Sequence, residues 1–139
     1  MPRAHLDPIV CVDDARAVFA LQMSEPVVDE TLVMLLDDQL CGSTLLTISG
    51  TRSVEQLLQA AEAVAMIANS TPEIGSVVIA SVRREGATSD LLVPGLWSTL
   101  DEIVEASGVV LLDWLVTGPW GLLLPRAMCA APSRWPADG

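Results

Sequence analysis

Lysine is absent from this chain. Seven arginines stand against eighteen acidic residues, and the formal net charge is −11. Arg83–Arg84 is the only adjacent basic pair. A surface so charged repels a phosphate backbone at long range, so direct nucleic-acid binding is not expected. The same excess keeps an apolar chain dispersed. Histidine occurs once, at His5, so no histidine pair can hold a metal. The three cysteines, Cys11, Cys41 and Cys129, are odd in number, widely spaced and without a C-x-x-C pair. That spacing argues against a zinc knuckle or a disulfide framework and predicts buried, inert thiols in a reducing cytoplasm. Long apolar runs are also missing. The richest stretch, Val109 to Leu124, is broken by Asp113, Thr117, Gly118, Pro119 and Gly121. A membrane span is not expected, and neither is a signal peptide ahead of Asp13–Asp14.

What is present is apolar character without a span. Hydrophobic residues make up 51% of the 139, and the mean hydropathy is +0.49. One domain with a well-buried sheet is the expectation. Residues 1–8 read as a flexible arm, 9–127 as the domain and 128–139 as an irregular tail onto which Trp135 can dock. A short strand at Ile9–Val12 precedes a helix capped by Asp13 or Asp14 and ended by Pro26. Thr31–Leu36 and Leu40–Ile48, joined by Asp37-Asp38-Gln39, predict an antiparallel hairpin. Ser53 and Gln56 form a capping box. Behind it Val54, Leu57, Leu58, Ala61, Val64, Ala65 and Ala68 repeat at helical spacing. Val77–Ala80 anchors a buried strand from Ser76 to Val82, ending in the polar loop Arg83–Val93. Pro94 opens a third helix with Leu96, Trp97, Leu100, Ile103 and Val104 on one face, and Gly108 closes it. Val109–Val116 and Trp120–Leu124 are the last strands, separated by the turn Thr117-Gly118-Pro119. The order α-β-β-α-β-α-β-β predicts an α/β fold, a mixed sheet with packed helices and a parallel crossover through the second helix.

Four passages carry a resemblance. Asp29–Asp37 runs from an acidic pair through an apolar strand to an aspartate. Gly50-Thr51 precedes the capped helix. Val77–Gly86 is a strand leading into a glycine loop, and Leu111–Gly118 reads LLDWLVTG. In this order and spacing they resemble the JAB/JAMM-type domain of the RadC family over roughly residues 9–127. The resemblance implies a JAB/cytidine deaminase-like fold. It also implies a zinc centre in which an H-x-H pair and a later aspartate hold the ion, and a glutamate acts as base for its water. With the family's loop glycine laid on Gly86, the two histidine positions become Ser81 and Arg83. The aspartate position falls near Val93 or Pro94, with Asp90 the nearest carboxylate. The base position falls on Asp29 or Glu30, and the family's LLDHLIxG histidine becomes Trp114. Arginine stays charged and cannot serve as a zinc ligand.

No metal, cofactor or catalytic residue is therefore expected. The leading expectation is a non-catalytic JAB/RadC-like domain, a pseudoenzyme of the cytoplasm that binds a protein or a second copy of itself as a homodimer. Glu30, Ser81, Arg83, Arg84, Asp90 and Trp120 are the candidate binding residues. Arg83, Arg84 and Glu85 can meet an acidic group such as a peptide C-terminus, and Arg83 can pair with Asp29 or Glu30 in place of the ion. Ser81 has no base to make it a nucleophile. Asp113, set in an apolar strand, needs a partner, and backbone in the neighbouring turn is expected to supply it. Trp97 is assigned to the core, and Trp120 to an exposed contact. Asp13–Asp14 and Asp37–Asp38 are assigned to caps and turns rather than to a divalent ion. The alternatives are a divergent metal-dependent isopeptidase-like hydrolase using Asp29, Glu30 and Asp90, and an accessory DNA-repair-related protein.

Overall fold

A computed structural model describes residues 8–22, 28–49, 53–84, 95–118 and 121–136. The elements are α1 (Val12–Gln22), β1 (Glu30–Asp37), β2 (Gly42–Ser49), α2 (Val54–Asn69), β3 (Ile74–Val82), α3 (Leu96–Glu105), β4 (Val110–Gly118), β5 (Gly121–Leu123) and α4 (Pro125–Met128). The strands form one five-stranded sheet in the order β2-β1-β3-β4-β5. The β3/β4 pair is parallel; the other three neighbouring pairs are antiparallel. The chain is thus α/β with a mixed sheet and packed helices. Two crossovers build it. β2 and β3 run the same way on either side of β1 and are joined through α2, and the adjacent parallel pair β3/β4 is joined through α3.

The strands of the centre are apolar on both faces because both faces are covered. Successive side chains of a strand point to opposite sides. On one side Val33 and Leu35 of β1, Val77 and Ile79 of β3, and Leu111, Trp114 and Val116 of β4 pack under α2 and α3. On the other, Leu32, Met34 and Leu36 of β1 join Val78, Ala80 and Val82 of β3 and Leu112 and Leu115 of β4. That second core is closed by Ile9, Ala15, Val18 and Phe19 at the N-terminal end and by Trp135 from the tail. No helix among the described residues is long and apolar enough to cross a membrane.

Local chemistry explains most boundaries. Ser53 Oγ accepts from Gln56 N at 3.2 Å while Gln56 Oε1 accepts from Ser53 N at 3.1 Å, the reciprocal box predicted for α2. Gly108, at φ 87°, donates its N–H to Glu105 O and turns the chain out of α3. Elsewhere the structure departs from expectation. Val12 already belongs to α1 rather than to a strand. Asp14 lies inside the first turn and reaches back to accept the N–H of Val10 at 3.2 Å. The predicted strand start at Leu40 fails because Leu40 sits at φ 63°, in the left-handed region, and β2 begins at Gly42. Asp37 holds that turn, with Oδ1 accepting from Gln39 N at 2.8 Å and Cys41 N at 3.0 Å. β4 continues through Thr117 and Gly118, which were expected to turn, and β5 starts at Gly121. The cysteines are free, but none is buried. Cys11 and Cys41 are half-buried and Cys129 is exposed.

The tail is docked. Arg126 is buried on α4, and Trp135 is 1% exposed. Arg134 ties α3 to β4: it donates from Nη1 and Nη2 to the Asp101 carboxylate at 2.6 and 2.9 Å, and from Nη1 to Leu111 O at 2.9 Å. Its guanidinium also lies 5.4 Å from the ring centroid of Trp97, within cation–π range. Hydrogen bonding to Asp101 raises the Arg134 pKa above its ordinary value, against the opposing effect of burial.

Candidate functional site

The site predicted from sequence lies where β1 begins and β3 ends. Register places Thr31 opposite Ser81 and Glu30 opposite Val82. Strand alternation then separates the candidates. Thr31 and Ser81 follow Val33 and Ile79 onto the α2/α3 side, whereas Glu30 follows Leu32 and Met34 onto the α1 side. Glu30 therefore does not share a face with Ser81, despite being grouped with it from sequence. Asp29 has the parity of Thr31, and its Oδ1 accepts the backbone N–H of Arg84 at 2.8 Å. Asp29, one of the two acidic residues read as interchangeable, is thus bonded to the backbone just beyond β3.

Ser81 is buried, and its Oγ accepts a 2.9 Å hydrogen bond from Trp114 Nε1. Trp114 is fully buried in the α2/α3-side core. An indole N–H can only donate, so burying the ring requires an acceptor, and Ser81 supplies it. The two positions belong to neighbouring parallel strands, with Ile79 opposite Trp114 and Ser81 opposite Val116. Arg83 is 7% exposed and prolongs the β3/β4 ladder by donating its N–H to Thr117 O at 2.9 Å. Arg84 is exposed. Asp90 and Trp120, as well as Glu85 and Gly86, lie outside the described residues.

The resembled zinc centre does not fit these residues. A guanidinium stands at one histidine position. At the other, the serine oxygen receives an indole N–H. Among the described residues no three of histidine, cysteine, aspartate and glutamate come together in a way that could hold a metal ion.

Asp113 forms a second constellation, one that sequence reasoning had assigned to backbone in a turn. The β3/β4 register shifts between Val77 and Val78: Val77 faces Leu111, and Val78 faces Asp113. Leu112 is the extra residue of this bulge, and the bulge turns Asp113 onto the same side as Leu112, toward α4 and the tail. Asp113 is 0% exposed. Its Oδ2 accepts from Trp135 Nε1 at 2.8 Å, its Oδ1 accepts from Trp114 N at 2.9 Å, and Arg126 lies against both oxygens at 3.3 and 3.4 Å. Arg126 also donates to Ala131 O at 3.0 Å. This closed, fully partnered cluster fastens the tail to the sheet. The one signal for it in the sequence is the carboxylate inside an apolar strand, which demands a cation or donors from elsewhere.

No protein-family model matches this chain, and no curated protein matches it.

Proposed function

We propose that the chain is a JAB/RadC-like domain whose metal chemistry has been replaced by packing, and that it works as a protein-binding or self-associating module. The observation that carries this reading is the Trp114–Ser81 hydrogen bond. Both residues stand at positions where the resembled family places histidines, and here they satisfy each other inside the core. A serine held by an indole N–H offers neither a nucleophile nor a neutral imidazole ligand. A surface for association is suggested by β2, an eight-residue strand at one end of the sheet whose outer edge is paired with no described strand. A second copy of the chain is the simplest partner, through a two-fold contact.

Elemental analysis of tag-free protein tests the first half. Substoichiometric zinc is expected, and one zinc per chain overturns the pseudoenzyme reading in favour of a divergent hydrolase. Light scattering at about tens of micromolar protein, where contacts of ordinary affinity are populated, tests the second. A mass above one chain is expected; a strict monomer removes self-association.

A further inference from the structure

A cavity of about 330 Å³ opens at the opposite end of the sheet, where β1 ends and β3 and β4 begin. Its polar wall holds Asp37, Asp38, Ser76 and Arg134, and Leu40 and Leu112 supply apolar surface. Ser76 is the informative residue. It is 5% exposed, it lines the cavity, and its Oγ has no hydrogen-bond partner among the described residues. A buried hydroxyl without a partner is costly, and such groups in folded proteins call for an occupant that is not part of the chain. The carboxylates beside it point to the charge of that occupant. Asp37 uses Oδ1 on the turn amides of Gln39 and Cys41, and no described residue bonds its Oδ2. Asp38 has no described hydrogen-bond partner. Its Oδ1 lies over Gly75, so close that a Cβ there would stand 2.9 Å from it. Arg134 does not cancel this charge, because its guanidinium is already bonded to Asp101 and Leu111 O.

We infer that this cavity binds a primary alkylammonium group. Three N–H donors on one cationic nitrogen match Asp37 Oδ2, the Asp38 carboxylate and Ser76 Oγ. The methylene stem matches Leu40, Val110 and Leu112. Anions are disfavoured by the two carboxylates. A hard divalent ion would need waters to complete its coordination of about six to eight oxygens, whereas the three acceptors present match the three donors of an ammonium. The group can arrive on a free amine or on a lysine side chain of another protein, since this chain has no lysine. The inference does not depend on the metal-loop resemblance.

The test is an NMR titration of ¹⁵N-labelled protein with n-butylammonium chloride, repeated with Nα-acetyl-lysine methylamide and with tetramethylammonium chloride. Saturable shifts at Gln39, Gly75, Ser76 and Leu112 are expected with the first two. None is expected with the third, which carries the charge but no N–H. Tighter binding of the lysine derivative assigns the site to a protein side chain; equal or weaker binding assigns it to a free amine. Ser76→Ala and Asp38→Asn are each expected to weaken binding about tenfold, the loss of one charge-assisted bond. Ser76→Ala should melt no lower than the parent, because its hydroxyl holds no part of the chain. Gly75→Ala, which displaces the Asp38 carboxylate without backbone strain, should weaken binding as Asp38→Asn does. The inference is overturned by an absence of saturable shifts, by equal shifts with tetramethylammonium, or by unchanged affinity in Ser76→Ala and Asp38→Asn. A Ser76→Ala protein that melts lower and binds normally would assign the hydroxyl to an internal water and likewise overturn it.

Discussion

Asp113 and Arg126 offer the sharpest test of how this fold is held. Both are buried, with side-chain exposures of 0% and 9%. Removing one member of a buried pair leaves an uncompensated charge and typically costs about 3–5 kcal/mol. The geometry here argues for the lower end. The Arg126–Asp113 contacts of 3.3 and 3.4 Å exceed the usual hydrogen-bond range, whereas Trp135 Nε1 approaches at 2.8 Å. The pairing is thus mainly Coulombic, and the indole supplies the directional bond. Asp113→Asn keeps the shape and an acceptor for Trp135 but strands the guanidinium, and about 3 kcal/mol of stability should be lost. Arg126→Met strands the carboxylate, and Trp135 and the Trp114 amide relieve it in part, so about 2–3 kcal/mol is expected. The double variant removes both charges and should be less destabilised than the sum of the two by more than about 1 kcal/mol. Urea unfolding at constant slope measures all three. Additive losses, or single losses under about 1 kcal/mol, would refute a coupled buried pair.

Trp135→Ala removes a fully buried indole and the shortest bond to Asp113. It should cost about 3–5 kcal/mol, read by urea unfolding, and make the tail sensitive to limited proteolysis. Trp114→Phe keeps most of the ring but leaves Ser81 Oγ without its donor, and a loss of about 1–3 kcal/mol in thermal melting is expected. Arg134→Ala breaks a partly exposed pair with Asp101, worth about 0–1 kcal/mol and shrinking with added salt, and also removes the donor to Leu111 O, so a salt-independent loss of about 1 kcal/mol should remain. Because the Arg134 pKa is raised, its contribution is complete below the unfolded value and is lost only as pH rises through the higher folded one. The wild-type-to-variant difference should therefore show no alkaline titration from Arg134 at or below the unfolded value.

The elements that sequence made legible are those whose signals are local. α2 combines a helical repeat with a capping box within four residues, and β1 and β3 are apolar runs flanked by polar turns. Face assignments at the strand ends were not legible. Glu30 and Asp29 differ by one position, and only the register with β3 shows which of them shares a face with Ser81. Asp113 was hidden for a related reason. Strict alternation along Leu111-Leu112-Asp113-Trp114 would put Asp113 beside Leu111, but the bulge at Leu112 reverses it. Its partners Arg126 and Trp135 lie 13 and 22 residues downstream, in a segment without periodicity. Leu40 was misjudged because a leucine at the head of the segment Leu40–Ile48 reads as the start of a strand. Here the carboxylate of Asp37 fixes a turn that forces it to positive φ.

Polar side chains are buried at both ends of the sheet, and their surroundings differ. At the β3 C-terminal end, Trp114 donates to Ser81 and Arg84 donates to Asp29, while Arg83 is buried beside them. The Trp114–Ser81 pair is satisfied inside the core, so packing accounts for these two residues without a ligand. At the other end, β3 begins with a buried hydroxyl that nothing in the described chain satisfies, and two carboxylates stand beside it. Unsatisfied polar atoms mark where a molecule expects something from outside. Ser76 meets that criterion at the cavity before β3, which is why the amine titration is aimed there. Substitutions at Ser81 and Trp114 should register as stability, and substitutions at Ser76 and Asp38 as binding.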